Sequence, residues 1–267
     1  MNLDVDMSKI SYNINNDDTK KIYMNNEQLL NHDIAVIGIS ARIGRANSVK
    51  EFWDYISSGI DLIERFPENR QKDVDTYINT VFGKKKNDFV EMAYLKNIDQ
   101  FDANFFRMAP IEAELLSPVQ RVFLEAMVVA AEDAGYGGDQ LNGTNTGVYV
   151  GYNSNNMNNY FSMISNFCPD KMDLALTGNI DSVIASRFSY LYNLKGPAEV
   201  IDTACSSSLV AVHTACQAIR SKEVDMAFAG GIKICLIPRN QEDRDIGITS
   251  SSGRTKTFDE NADGTGA

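Results

Sequence analysis

No stretch of this sequence approaches the ~18 consecutive apolar residues that a membrane-spanning helix requires. The opening Met1-Asn-Leu-Asp-Val-Asp6 lacks the basic region and apolar core of a secretory leader, so the expected location is the cytoplasm, with no membrane contact. Basic charge is scarce as well. Against 36 Asp and Glu there are only 25 Lys and Arg, and the net charge of −11 argues against a nucleic-acid partner, whose phosphates need neutralising. Cysteine is sparse and badly spaced for metal: Cys168, Cys205, Cys216 and Cys235 lie 37, 11 and 19 residues apart, with no C-x-x-C pair and no zinc-site spacing. Four such cysteines fit a reducing cytosol, and no metal is expected. Histidine is limited to His32 and His213. Neither an internal repeat nor a phosphate-cradling glycine loop is present, so no directly bound cofactor is expected.

What is present is a globular composition. The 267 residues are 43% hydrophobic, enough for a sizeable core in one or two domains. Residues 1–32 are rich in Asn, Asp and Lys with scattered apolar positions, and read as a linker, with a short docking helix over Thr19–Leu30 as the alternative. A folded domain begins at Asp33, where Asp33-Ile-Ala-Val-Ile-Gly-Ile39 reads as a buried first strand, and it extends over residues 33–267. Ser48 and Glu51 have capping-box spacing ahead of a helix whose apolar face is Phe52, Trp53 and Ile56. Pro67 to Asn97 reads as a polar surface excursion with the basic cluster Lys84-Lys85-Lys86. Pro118 opens a helix with Val122, Phe123, Met127 and Ala130 on its core stripe. Thr146–Gly151 and Val224–Gly231 read as buried strands, and Thr249 to Asp263 as a loop. Strands alternating with helices call for an α/β layered sheet.

One stretch organises the rest. In Glu199-Val-Ile-Asp-Thr-Ala-Cys-Ser-Ser-Ser-Leu-Val-Ala-Val-His213 a β-branched run passes through small residues into an apolar segment reaching Ile219, the pattern of strand, tight turn and helix. Cys205 falls in the turn, beside the first free N–H groups of that helix, where negative charge is favoured and the thiolate is the nucleophile. Ala204 and Ser206 flank it, and small side chains there leave room for an incoming substrate, which makes them candidate substrate-binding residues. On chemistry alone Cys205 is either a packing cysteine or a nucleophile. The helix itself, with Leu209, Val210, Ala211, Val212, Ala215, Cys216 and Ile219, is apolar nearly all round and is expected to be buried on every side. His213 lies ~12 Å along the axis from Cys205, too far for proton transfer, and reads as a core histidine. Cys216 and Cys235 read as packing residues.

Asp202-Thr-Ala-Cys-Ser-Ser-Ser208 resembles the active-site signature of β-ketoacyl synthases, specifically the ketosynthase domains of modular polyketide synthases. Other blocks resemble the same family in the same order: the opening strand and Phe-Trp helix, Phe101-Asp-Ala-Asn-Phe-Phe106, Ala113 to Glu125, Thr177 to Tyr190, and Gly253-Arg-Thr-Lys-Thr-Phe258. One departure is Ala41-Arg-Ile-Gly-Arg-Ala46, where the family usually has Gly-Arg-Phe-Pro-Gly-Ala.

The resemblance implies a thiolase-like fold, here its first α/β half and the start of the second. It implies a condensing enzyme of the acyltransferase class. An acyl chain delivered on the phosphopantetheine of an acyl-carrier protein would be transferred to Cys205, then condensed with a decarboxylating malonyl-type extender. The family's two histidines, in His-Gly-Thr and Asn-x-Gly-His motifs, do not occur in this sequence, so they would lie outside this chain, in further sequence or in a second chain carrying the C-terminal half. A homodimer is implied, with the strand before Cys205 and the Asn179–Tyr190 helix near the interface. The alternative reading is a truncated ketosynthase-fold interaction module that condenses nothing.

Overall fold

Thr146–Gly151, β1, is buried along its whole length in the computed structural model, which describes residues 33–83, 87–153, 160–240 and 248–266. It is the centre of a three-stranded sheet, flanked in parallel by β2 (Ala198–Ile201) and β3 (Met226–Gly231) in the order β2-β1-β3. A central parallel strand is covered on both faces, which is why Val148, Tyr149 and Val150 are all apolar or aromatic without alternation. The chain divides into two units, Met1–Ala35 and Val36–Ala267. The proposed linker or docking segment and the Lys84-Lys85-Lys86 cluster fall outside the described residues.

The helices in chain order are α1 (Val49–Ser57), α2 (Glu68–Phe82), α3 (Pro110–Leu115), α4 (Pro118–Asp133), α5 (Tyr160–Phe167), α6 (Met172–Ala175), α7 (Val183–Leu191) and α8 (Ser207–Arg220). On one face of the sheet, Val148 and Val150 pack against Val122, Phe123, Leu124 and Met127 of α4 and Ile184, Ala185 and Phe188 of α7. Phe188 is fully buried between Tyr192 and Phe228, with ring centroids 4.6 and 5.0 Å away. On the other face Tyr149 meets Ala211, Ala215 and Ala218 of α8, together with Val224. Alanines on that stripe let the α8 backbone lie close to the sheet. Val224 itself is buried, but β3 is only half-buried, in contrast to the buried strand its sequence predicts.

Four expectations need correction. Residues 33–39 form no strand, and Val36 is 83% exposed. A strand requires a neighbour for its row of N–H and C=O groups. Among the described residues Val36–Ile39 has none, and lies instead on α4, with Ile39 N–H donating to Asp133 Oδ2 at 2.9 Å and Gly38 so close that a Cβ would lie 2.3 Å from Ala130 O. Ser48 caps α1, Glu51 N–H donating to its Oγ at 3.1 Å, but the Glu51 carboxylate accepts from Asn47 N–H at 2.8 Å, one residue before the cap, and Trp53 and Ile56 on the apolar face are exposed.

The polar excursion after Pro67 contains α2, because Val74, Tyr77, Ile78 and Val81 stand at helical spacing. They pack with Phe66, Phe89 and Tyr94 in a satellite core. Buried Arg70 anchors α2 by donating to Leu95 O at 2.9 Å and Cys235 O at 2.6 Å, its guanidinium 4.8 Å over the Phe66 ring. Gly83, at φ 68°, ends the helix. Last, the Thr177–Tyr190 block is helical only from Val183.

The departure at Ala41–Ala46 closes as a tight turn. Ile43 and Ala46 exchange two backbone hydrogen bonds of 3.0 Å, and Gly44, at φ 58°, takes the left-handed position. Thr249 to Asp263 is irregular, as its composition predicts. Asp263 holds that loop, accepting from Ser250 Oγ at 2.6 Å and from Ser251 N at 3.0 Å, while Arg254 fastens it to Asp61 and Glu91 at 2.8 and 2.6 Å.

Candidate active site

Three parallel strands end together beneath the start of α8. Tyr152 N–H donates to Ile201 O at 3.1 Å and Ile232 N–H to Gly151 O at 3.2 Å, lacing the carboxyl ends of β2, β1 and β3. The first turn of α8 rests directly on this edge. A Cβ on Gly151 would lie 2.4 Å from Ser208 N and 2.6 Å from Ser207 C, and one on Gly231 would lie 2.6 Å from Ser208 Cβ. Glycine at both strand ends is what lets the helix start there. In open α/β sheets the crevice outside the carboxyl strand ends is where ligands bind.

Between β2 and α8 the chain turns through a 3₁₀ turn, Ala204–Ser206, and Cys205 occupies its middle, exposed. Ala204 has φ 55°, a left-handed conformation costing about 1–2 kcal/mol for a residue with a Cβ. Such strain persists only where the surroundings over-determine it. Here Asp202 Oδ1 accepts the Ala204 N–H at 3.0 Å, an Asx turn, while Asp202 Oδ2 accepts from Asn153 Nδ2 at 2.6 Å. These bonds, to the Ala204 amide first and the Asn153 amide second, hold the Asp202 carboxyl below the usual carboxylate range. Thr203 N–H donates to Ser207 Oγ at 2.9 Å, and Ser207 Oγ donates to Ala204 O at 2.7 Å. Ser206 Oγ lies 2.8 Å from Thr203 O. The serines therefore do more than leave space: they stitch the turn.

The strand, turn and helix around Cys205 match the sequence reading. The burial of α8 does not. Only Ser207, Ala211, Ala215 and Ala218 are buried, Leu209 is 74% exposed, Val212 is exposed, and His213 is exposed and not a core residue. The reason is geometric: the sheet covers one stripe of the helix, and no described residue buries the opposite stripe. Cys216 is half-buried, Cys235 packs on the satellite core, and Cys168 packs beside Leu115, Ile164 and Ala175. None of the four cysteines is in a disulfide. Sequence reasoning missed Asn153, Asp202 and the two strand-end glycines. An Asp two residues before a turn alanine is a recognisable Asx-turn signal, whereas Asn153 is 49 residues away and gives none.

Tyr152, just past Gly151, has its phenol pushed up to about 12 by burial, with the Asp181 charge adding to it, so it stays protonated at neutral pH. Two clefts, of about 430 and 480 Å³, lie away from Cys205, one along the second half of α8 beside Tyr149 and Glu199, the other around Arg42, Gln100 and Glu125. Cys205 lines neither. Among the described residues no group of three His, Cys, Asp or Glu could hold a metal ion, and no helix is long and apolar enough to cross a membrane.

Residues 31–267 match the family model described as β-ketoacyl synthase, N-terminal domain. This chain belongs to the β-ketoacyl synthase family. Its curated relatives include polyketide synthases. Polyketide synthase PksL of Bacillus subtilis is 41% identical over 233 residues, 86% of this chain and 5% of that protein. A phenolphthiocerol/phthiocerol polyketide synthase of Mycobacterium tuberculosis is 39% identical over 234 residues, 86% of this chain and 15% of that protein. Among solved structures, the ketosynthase from module 6 of the bacillaene synthase of Bacillus subtilis superposes with a TM-score of 0.69 at 37% identity, covering 86% of this chain and 37% of that one. The chain thus corresponds to the N-terminal part of a polyketide-synthase ketosynthase with the thiolase-like α/β fold, and spans well under half the length of these relatives.

Proposed function

We propose that this chain is the nucleophile-bearing part of a polyketide condensing enzyme and that Cys205 is its acyl acceptor. The observation that carries the reading is an exposed thiol on a strained elbow, in the turn that leads into α8, whose first turn rests on the carboxyl ends of the parallel strands. The Cys205 thiolate attacks the carbonyl of an acyl thioester carried on the phosphopantetheine of an acyl-carrier protein. A new thioester forms on Sγ as the carbonyl–sulfur bond to the carrier breaks, and the carrier leaves as a thiolate that takes up the proton Cys205 had released. Ala204 and Ser206 border the attacked carbonyl and keep the approach open. The acyl group then condenses with a malonyl-type extender as that extender loses CO₂.

Negative charge developing on the extender needs donors that His213 does not supply, since it is exposed and ~12 Å along the helix from Cys205. Those donors come from further sequence or from a second chain, which would also cover Leu209 and Val212. The working assembly is a cytoplasmic homodimer that meets its neighbours near β2 and α7, where Tyr190 is 84% exposed. Residues 1–32 serve as linker or docking segment to the domain over residues 33–267.

The test is direct. Incubated with a short acyl thioester, the chain should gain one acyl group, mapped to Cys205 by mass spectrometry and absent in Cys205→Ala, whose circular dichroism should match the parent. With acyl- and malonyl-carrier proteins the chain alone should give acyl-Cys205 and no β-ketoacyl product. Acylation at Cys168 or Cys235 would remove Cys205 from this role, and product formed by this chain alone would remove the need for outside donors. Product formed only when a complementary half is supplied would separate the enzyme from the interaction module.

A further inference from the structure

We infer that Asp202 and Asn153 form a positioning clamp for Cys205, resting on the assignment of Cys205 as acyl acceptor and adding the device that places its thiol. Cys205 stands between Ala204, whose φ of 55° an alanine adopts only under constraint, and the first turn of α8. If Ala204 relaxed to an ordinary negative φ, the direction of the chain leaving it would change, and Cys205 would be carried off its position at the start of the helix. The Asp202 carboxylate opposes that relaxation. One oxygen takes the Ala204 N–H at 3.0 Å, and the other is held by Asn153 Nδ2 at 2.6 Å, from the loop that follows β1.

The clamp therefore couples the end of β1 to the elbow between β2 and α8 through a single carboxylate. It is distinct from the Ser207 stitch, which joins Thr203 and Ala204 O to the helix and leaves the Ala204 N–H to Asp202. Asp202 is exposed, and its carboxylate is held anionic by the same two bonds, so the clamp is intact at neutral pH. Neither residue has to touch the acyl group. Their effect on chemistry passes through the Ala204 conformation, and a glycine at 204, which enters the left-handed region without a Cβ penalty, should make the clamp largely dispensable.

That substitution supplies the test. The rate of iodoacetamide alkylation at Cys205 is measured in the full 267-residue chain by peptide mass spectrometry, with Cys168 in the same molecules as reference. Asp202→Ala should slow Cys205 relative to Cys168 by about threefold, the scale of one helix-terminus interaction. Asn153→Ala should do the same to a smaller degree. Adding Ala204→Gly to Asp202→Ala should restore most of the Cys205 rate, a rescue that general loosening of the fold would not produce.

A parental Cys205 rate in Asp202→Ala would overturn the clamp, and so would a defect that Ala204→Gly leaves untouched. Should Asp202→Ala lose its circular dichroism signal, Asn153→Ala decides, and a parental rate there overturns the proposal equally. Failure of the Cys205 assignment is separable, since the parent chain would then show no preferred alkylation at Cys205.

Discussion

Gly151→Ala places the tightest demand on the site. The added methyl would lie 2.4 Å from Ser208 N and 2.6 Å from both Ser207 C and Ser208 Cα, all backbone atoms that cannot rotate aside. Restoring the ordinary contact of 3.4 Å means moving the first turn of α8 off the sheet by 3.4 − 2.4 = 1.0 Å. Overpacking of this kind costs roughly 1–3 kcal/mol. In a domain of this size that corresponds to a fall in Tm of roughly 2–12 °C. A displacement near 1 Å at a reacting group can cost about 10²-fold in turnover, so acyl loading of Cys205 should fall more steeply than stability. Gly230→Ala is the matched control: Gly230 pairs with Val150, one residue before the Gly151–Gly231 pair, and an added methyl meets nothing within 4 Å. Differential scanning fluorimetry and time-resolved mass spectrometry of acyl loading give both readouts. Parental Tm and loading in Gly151→Ala, or equal damage in Gly230→Ala, would refute the claim that the strand-end glycine seats the nucleophile helix.

Phe188→Ala removes a fully buried ring held between Tyr192 and Phe228 and should cost about 3–5 kcal/mol, read from urea unfolding. Asp263, held well below the usual carboxylate range by the Ser250 hydroxyl first and the Ser251 hydroxyl and amide next, stabilises its loop fully above the unfolded carboxylate value of about 4 and loses that contribution as pH falls further toward its folded value. The protection of the Ser250 and Ser251 amides against hydrogen exchange, taken relative to the intrinsic rate at each pH, should therefore fall on acidification, and Asp263→Asn should show that lower protection already at neutral pH; protection unchanged in Asp263→Asn would refute it. For the completed enzyme, light scattering should give the mass of a dimer, and a monomer would remove the proposed association.

Local features are legible in the sequence and distant ones are not. Thr146–Gly151 and Pro118–Asp133 announce themselves because a buried parallel strand is a continuous apolar run and a proline-started helix keeps an apolar stripe at helical spacing. The elbow at Cys205 is readable for the same reason, since a β-branched run, a cluster of small residues and an apolar segment occupy adjacent positions. Helix α2 is hidden by its polar residues, although Val74, Tyr77, Ile78 and Val81 keep helical spacing, and its anchor depends on Arg70 meeting a carbonyl 165 residues away. Residues 33–39 have strand composition, but composition cannot supply the neighbouring strand.

Helix α8 shows why an all-round apolar sequence and a one-sided burial are compatible. Ala211, Ala215 and Ala218 make the stripe that fits the sheet, so the helix is seated by small residues, while the larger Leu209 and Val212 point away. Covering such side chains is worth roughly 1.5–3 kcal/mol each, a stabilisation this chain does not gain but does not need in order to place Cys205. The placement comes from Gly151, Gly231, the Ser207 stitch and the Asp202 bonds, all within the described residues. On the function proposed for Cys205, acyl loading and condensation are thereby separated in physical terms. Loading asks for an exposed thiol at a helix start, which the chain builds unaided. Condensation asks for fixed donors facing the charge that develops on the extender, each worth about 10²–10³-fold in rate, and His213, ~12 Å along the helix from Cys205, does not stand where it could be one.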